Sequence, residues 1–195
     1  VLSSADNWEL RYKKGGTSGR GSQGKYAKWK AEVLNGFVAH HGVNTVVEFG
    51  CGDGEQLKLY WFPEYTGYDV SPTAVAMCRK IFADEHHKRF RLMSEYDGET
   101  ADLALSIDVI FHLLEDDVFD DYMRKLCDAS ISYLVIFSSD HDDPVINPRT
   151  PNTRHRKYTD WIEKNRPEWK CLGRLPKFHE DTFQDFSFWG RQCSA

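Results

Sequence analysis

The chain has 195 residues, 41% of them apolar or aromatic, enough to bury one sizeable core but short for two full domains. Its net charge of −5 argues against a broad phosphate-backbone footprint, so nucleic acid is not an expected partner, and no apolar run reaches the length of a membrane span. The five cysteines are odd in number, widely spaced and without a CxxC pair, and Val1 to Ser4 lacks a charged n-region followed by an apolar stretch; the expectation is a soluble, cytoplasmic protein with reduced thiols.

From Trp8 to Gly24 the chain is rich in Gly, Ser and charge. Glycines at 15, 16, 19, 21 and 24 oppose a regular helix, so residues 1–24 read as a loop or lid in front of a single domain, 25–195. Trp29, Val33, Leu34, Phe37 and Val38 then recur at helical spacing, and Gly42 supplies a stop after His40 and His41. Thr45 to Phe49 is a buried strand that runs into the glycine turn Gly50-Cys51-Gly52-Asp53-Gly54, with a helix expected through Leu57 and Leu59 until Pro63. A second strand, Tyr65 to Asp69, leads to Ser71-Pro72 and a helix with Ala74, Val75, Cys78, Ile81 and Phe82 on one face. A weak strand near Phe90 to Met93 and a strong one, Ala101 to Ile107, precede a helix marked by Val118, Phe119, Tyr122, Met123 and Leu126, and then a strand from Ile131 to Phe137. This alternation of strands and helices implies a parallel sheet. The polar stretch Ser138 to Arg156, with Pro144, Pro148 and Pro151, is too long for a connector and is a candidate substrate loop. The tail offers a short helix near Asp160 to Asn165 and strands at Trp169 to Leu175 and Thr182 to Trp189.

A strand that ends in Glu48-Phe49-Gly50-Cys51-Gly52-Asp53-Gly54 puts small residues where backbone must pass close to a ligand, and a helix after it would offer unpaired N–H groups to an anion. The dinucleotide fingerprint needs a third glycine where Glu55 stands, so the pattern is ExGxGxG and NAD is disfavoured. Asp69, 19 positions after Gly50 and at the end of the second strand, is placed to accept both hydroxyls of a ribose.

VVEFGCGDG, YTGYDVS and ADLALSIDVIFHL resemble, in order and spacing, the successive motifs of class I S-adenosylmethionine-dependent methyltransferases, over roughly Thr45 to Ser139. The resemblance implies an α/β fold: a Rossmann-like, seven-stranded, mostly parallel sheet with helices on both faces, a three-layer sandwich with S-adenosylmethionine across the C-terminal strand ends. By position, the backbone of Gly50 and Gly52, with Cys51 between them, would border the methionyl part of the cofactor. Glu48 would help hold its ammonium, Asp69 with Val70 beside it would take the ribose, and Ser94 to Tyr96 would flank the adenine.

Asp108 and His112 follow the fourth parallel strand, so they emerge at the cofactor's edge of the sheet. His112, with an unperturbed pKa near ~6.5, suits a general base, and Asp108 would orient it or line the methyl site; a capping or packing histidine is the competing reading. Asp108 and Asp140 have the right origins to share a divalent metal, but the run Asp140-His141-Asp142-Asp143 in an acidic protein is more simply a solvated loop, and no metal ligand is assigned. Arg154-His155-Arg156 is a candidate clamp for a phosphate or carboxylate on the acceptor, and Trp8 and Tyr12 at the front would shield the methyl group from water, with Tyr12 against the acceptor. The expected reaction is methyl transfer, leaving S-adenosylhomocysteine, to an oxygen, less readily a nitrogen, of a small metabolite or glycan. The glycan idea comes from a resemblance to small bacterial methyltransferases with a GGxSGxGS front and an RHR segment, associated with sugar-modifying pathways. The alternative is a module that binds S-adenosylmethionine or its demethylated product without catalysis.

Overall fold

In the computed structural model, which describes residues 2–143, 152–177 and 182–192, Ser3 opens the first helix, α1 (Ser4–Lys13), by accepting the Asp6 amide on its hydroxyl. The expectation of no regular helix over Trp8 to Gly24 is therefore corrected for Trp8 to Lys13. The five glycines all lie beyond Lys13, and the helix shows no strong apolar stripe because much of what it docks against is polar, as described below. The glycine-rich remainder makes one 3-10 turn, Arg20–Ser22, before α2 (Gly24–His41), which ends on Gly42 in the left-handed conformation, φ 62°. There follow β1 (Thr45–Phe49), β2 (Glu64–Asp69), α3 (Pro72–Ile81), β3 (Lys88–Leu92), β4 (Ala101–Ile107), α4 (Asp116–Asp128), β5 (Ser130–Ser138), α5 (Tyr158–Asn165), β6 (Trp169–Leu175) and β7 (Asp185–Arg191).

Between β1 and β2 the expected helix shrinks to a 3-10 turn, Gln56–Leu59. Leu57, Tyr60 and Phe62 are all buried, and an extended exit at Tyr60 reaches both the core and Pro63, which could not continue a helix. The middle of the loop between β5 and α5, with Pro144, Pro148 and Pro151, lies outside the described residues.

The seven strands lie in the order β3-β2-β1-β4-β5-β7-β6, parallel except for β7, which runs antiparallel to both β5 and β6. Side-chain alternation along the strands divides the core in two. Val46, Tyr65, Leu103, Leu105, Val135 and Phe137 pack with Leu34 and Val38 of α2 and Val75 and Cys78 of α3 on one face. Val47, Phe49, Tyr68, Ala104, Leu134 and Ile136 pack with α4 and α5 on the other, which gives helices on both sides of the sheet. Leu34 and Phe49 are fully buried, each contributing about 1.5–3 kcal/mol relative to exposure.

This topology positions the site. From β1 the chain steps outward to β2 and β3 and returns to β4 on the other side of β1, so the C-terminal ends of β1 and β4 are where the connections diverge and leave a crevice. Strand parity then sets Glu48 and Asp69 on the α2–α3 face, in step with Val46 and Tyr65.

Candidate active site

Gly50, Gly52 and Gly54 all take positive φ, at 90°, 59° and 79°. A Cβ on Gly50 would run into Val109 Cγ2 and one on Gly52 into Ser18 Oγ, so with positive φ besides, a side chain at either position would strain the turn and displace a neighbour. The amides of this turn are already engaged. Those of Gly50 and Cys51 converge on the Tyr68 carbonyl, at 2.7 and 3.1 Å; Gly52 donates to Asp69 Oδ2 at 2.9 Å and Asp53 to Ser18 Oγ at 3.0 Å. The expected row of free N–H groups for an anion is thus absent at these four residues, which suits a ligand that carries no phosphate.

Below the turn are two buried carboxylates. Glu48 accepts the Tyr65 hydroxyl at 2.6 Å, and burial pushes its carboxyl up to about 7 against the opposing pull of Tyr65 and the Lys30 ammonium. Asp69 accepts the amides of Gly52 and Ser71, one on each oxygen and both at 2.9 Å, yet burial still raises it to about 6. An ionised carboxylate has about four lone-pair sites, so each Asp69 oxygen keeps capacity for a ligand hydroxyl. Gln56 Nε2 donates to the Ala27 carbonyl at 2.9 Å while its buried Oε1 has no partner among the described residues. Glu48, Gln56 and Asp69 all line one cavity, an acceptor-rich chamber with Cys51, Val70 and Met93 in its wall.

The cavity is roofed by α1 and the glycine-rich segment. Ser4 donates to Glu115 through its amide, at 3.0 Å, and its hydroxyl, at 2.5 Å, and accepts the Leu114 amide. Glu9 accepts the Ser71 hydroxyl and both the amide and hydroxyl of Thr73 at the start of α3; these contacts, the Ser71 hydroxyl foremost, lower its carboxyl to about 2. Ser18 and Asp53 exchange two hydrogen bonds, Ser18 N to Asp53 Oδ2 at 2.7 Å and Asp53 N to Ser18 Oγ at 3.0 Å, and Tyr12 shares a third with Ser18 Oγ at 2.9 Å. Trp8 stacks on Tyr12 and meets His112 edge to face, with ring centroids 4.9 Å apart.

At the mouth, Asp108 and His112 line the same cavity but are held by different partners. Asp108, the one described non-glycine residue with positive φ (60°), accepts Lys30 Nζ at 2.6 Å on one oxygen and Gln184 Nε2 at 3.0 Å on the other. His112 Nδ1 is 3.0 Å from the Asn152 carbonyl, which can only accept, so Nδ1 carries the proton and neutral His112 keeps its lone pair on Nε2. Desolvation holds the imidazole below its usual pKa, opposed by that hydrogen bond and by the Asp108 charge.

The Arg154-His155-Arg156 segment stands outside the cavity wall. Arg154 reaches the Leu114 carbonyl and Asp116; Arg156 reaches the Leu113 and Leu114 carbonyls and Asp116, with Phe119 under its guanidinium. The two arginines thereby fix the turn that carries His112 and Leu113 into the cavity. Asp140 is committed elsewhere, to Thr159 and to Arg174 at 2.8 Å, apart from the Asp108–Lys30 pair.

Sequence reasoning did not single out Lys30, Ser18, Asp53, Gln56 or Gln184. Lys30 had a signal: it falls on the stripe Ala27, Ala31, Leu34 and Val38, and a cation there must have a partner once buried. Ser18 and Gln184 had none, because their partners are distant in sequence.

Among the described residues no helix is long and apolar enough to cross a membrane. No curated protein matches the chain in sequence. Residues 47–131, from β1 into β5, match the family model of a methyltransferase domain. The fold is shared with the N-methyltransferase NodS from Bradyrhizobium japonicum, solved with S-adenosylhomocysteine, at TM-score 0.75 and 14% identity over 95% of this chain and 99% of that one. It is shared too with magnesium protoporphyrin IX methyltransferase from Synechocystis, solved with bound S-adenosylmethionine, at TM-score 0.71 and 12% identity over 98% and 99%. The [4+2]-cyclase SpnF also has it, at TM-score 0.72 and 13% identity over 100% and 98%, so the family match carries weight that the fold alone does not. That match to a methyltransferase domain spans the glycine turn, the Asp69 strand and the approach to His112.

Proposed function

We propose that this methyltransferase, acting in the cytoplasm, methylates an oxygen of a small acceptor, a metabolite or a glycan, with His112 as the base that takes the acceptor's proton. Four described cysteines, all free, are consistent with that compartment. The residues present fit the cofactor's chemistry. Asp69 would take the ribose hydroxyls with the lone pairs its amide contacts leave, and Glu48 and the unpartnered Gln56 Oε1 would hold the ammonium. The backbone of Gly50, Cys51 and Gly52, which lines the cavity, would border the methionyl chain, and Val70 and Met93 in the same wall would border the adenosyl part. Glu48 and Asp69 sit in a chamber where burial disfavours their charge, and a cationic ligand would ionise both. S-adenosylmethionine supplies, when bound, an electrophilic methyl group on a sulfonium.

The observation that carries the catalytic assignment is the His112 hydrogen bond to the Asn152 carbonyl. It leaves Nε2 free at the cavity, and the lowered pKa keeps that nitrogen unprotonated at neutral pH. Asp108, held by Lys30 and Gln184, favours the imidazolium that proton removal creates. Trp8 and Tyr12, in the front segment 1–24 that we assign as a lid, would screen the methyl position from water, with Tyr12 against the acceptor; the stacking of Trp8 on Tyr12 and its edge contact with His112 support this. Arg154 and Arg156 serve the acceptor by holding the wall beside it, with His155 between them.

A panel of hydroxylated metabolites and sugars, assayed for release of S-adenosylhomocysteine, tests this reading. His112→Ala should lower kcat about 10²-fold or more with cofactor affinity by calorimetry nearly unchanged. Equal loss of both would make His112 a structural residue. Tight cofactor binding with no turnover on any acceptor would favour the non-catalytic module.

A further inference from the structure

The two ends of the long loop between β5 and α5 are fastened to each other by backbone and side-chain hydrogen bonds. Asp143 N donates to the His155 carbonyl at 3.3 Å, Lys157 N to Asp142 Oδ1 at 2.9 Å, and Thr159 N to Asp140 Oδ1 at 3.2 Å. Within this seam the rings of His141 and His155 lie parallel, centroids 4.6 Å apart and planes 22° from one another. His155 Nδ1 and the buried Ser139 hydroxyl share a 2.7 Å hydrogen bond, which leaves Nε2 to face Asp143 Oδ2 at 3.9 Å.

We propose that His141, Asp143 and His155 form a binding site for a borderline divalent transition metal, Zn²⁺ in the first instance, separate from the cofactor cavity. One ligand atom from each residue lies within 4.8 Å of the other two. A tetrahedral zinc with bonds of about 2.0–2.1 Å holds its ligands about 3.3 Å apart, so small rotamer changes in two exposed side chains, His141 and Asp143, close the set. Two imidazoles and one carboxylate select zinc and its neighbours over Mg²⁺ or Ca²⁺, which prefer all-oxygen shells. The Ser139 hydroxyl supplies the outer hydrogen bond that characteristically orients a metal-bound histidine. With three protein ligands the fourth position is open to water or to a donor atom of a ligand. Phe111, sequence neighbour of His112, packs within 6.2 Å of the His155 ring, so the ion would sit beside the wall of the cavity mouth.

The test is titration of the whole chain, freed of metal by chelator, with ZnCl₂ by calorimetry and with Co²⁺ by absorption. The expected result is one equivalent bound, a cobalt spectrum without a thiolate band, no heat with Mg²⁺, and a rise in Tm with Zn²⁺. His141→Ala and Asp143→Asn change exposed groups and should leave the fold intact while weakening Zn²⁺ more than Ser139→Ala does, for which about tenfold is expected. Absence of Zn²⁺ uptake, uptake that His141→Ala and Asp143→Asn leave unchanged, or a cobalt–thiolate band would each overturn the site.

Discussion

The floor and the roof of the cavity are built in opposite ways. The floor is sheet: the ends of β1 and β2, a turn with glycine at each position of positive φ, and two buried carboxylates, Asp69 fixed by adjacent backbone amides and Glu48 by the Tyr65 hydroxyl. The roof is a helix with little apolar stripe and a glycine-rich strap, fastened by side chains whose partners are far away in sequence, Ser4 to Glu115, Glu9 to Ser71 and Thr73, Ser18 to Asp53. The difference separates two tasks. Burial makes the floor rigid and electrostatically uncomfortable until a cation arrives, whereas the part-buried hydrogen bonds of the roof, each worth about 1.5–3 kcal/mol to a carboxylate, can be released one by one to admit and discharge ligands.

The sharpest way to break this comparison is Asp69→Ala. Two charge-assisted contacts to the ribose, each worth about 1.5–3 kcal/mol, would go, so calorimetry should show S-adenosylmethionine affinity down at least 10²-fold. Glu48→Gln should next separate stability from binding. The folded-state pKa of Glu48 is raised from 4.5 to about 7, so wild type pays no burial penalty below 4.5 and the full one as pH rises past about 7. The variant should therefore be more stable than wild type at pH 8, by on the order of 2 kcal/mol in denaturant melts, lose that advantage at pH 4.5, and bind the cofactor less tightly. Acidifying wild type from pH 8 to 5.5 protonates both floor carboxylates, near 7 and 6, and should weaken cofactor binding roughly tenfold. Glu9, at about 2, stays ionised throughout, so proteolysis after Arg11 and Lys13 should not accelerate over that range. The smallest effect belongs to the roof: Ser18→Ala should cost about 1 kcal/mol of cofactor affinity, and a double-mutant cycle with Asp53→Ala should show that the two losses are not additive. Additive losses would mean that the strap is held by something other than this pair.

The same contrast explains what could be read from the sequence. β1 and β2, the turn and Asp69 follow from β-branched runs, glycine spacing and one acidic position, all local signals, and the family resemblance extended them to the seven-stranded sheet. α1 was hidden because the glycines from 15 onward coloured the whole front, although SADNWELRYK contains no helix breaker and is capped by Ser3. The expected helix after the turn failed for the reverse reason: Leu57 and Leu59 gave it a helical look, but tertiary burial of Leu57, Tyr60 and Phe62 prevailed. Asp108 and His112 were legible as neighbours at the right sheet edge. Their actual partners, Lys30, Gln184 and the Asn152 carbonyl, lie 40 to 78 residues away in the chain, where no spacing rule reaches.

The place of β7 has a consequence for how the molecule is made. β7 lies between β5 and β6 although it follows both in the chain. As the polypeptide leaves the ribosome, β5 must wait with one row of amides and carbonyls exposed, since β6 cannot substitute for the missing neighbour. Val135 and Phe137 lie along that open margin until Asp185 to Arg191 emerges. Nascent chains arrested before Arg191 should therefore be the species most prone to capture by chaperones or to pairing with one another.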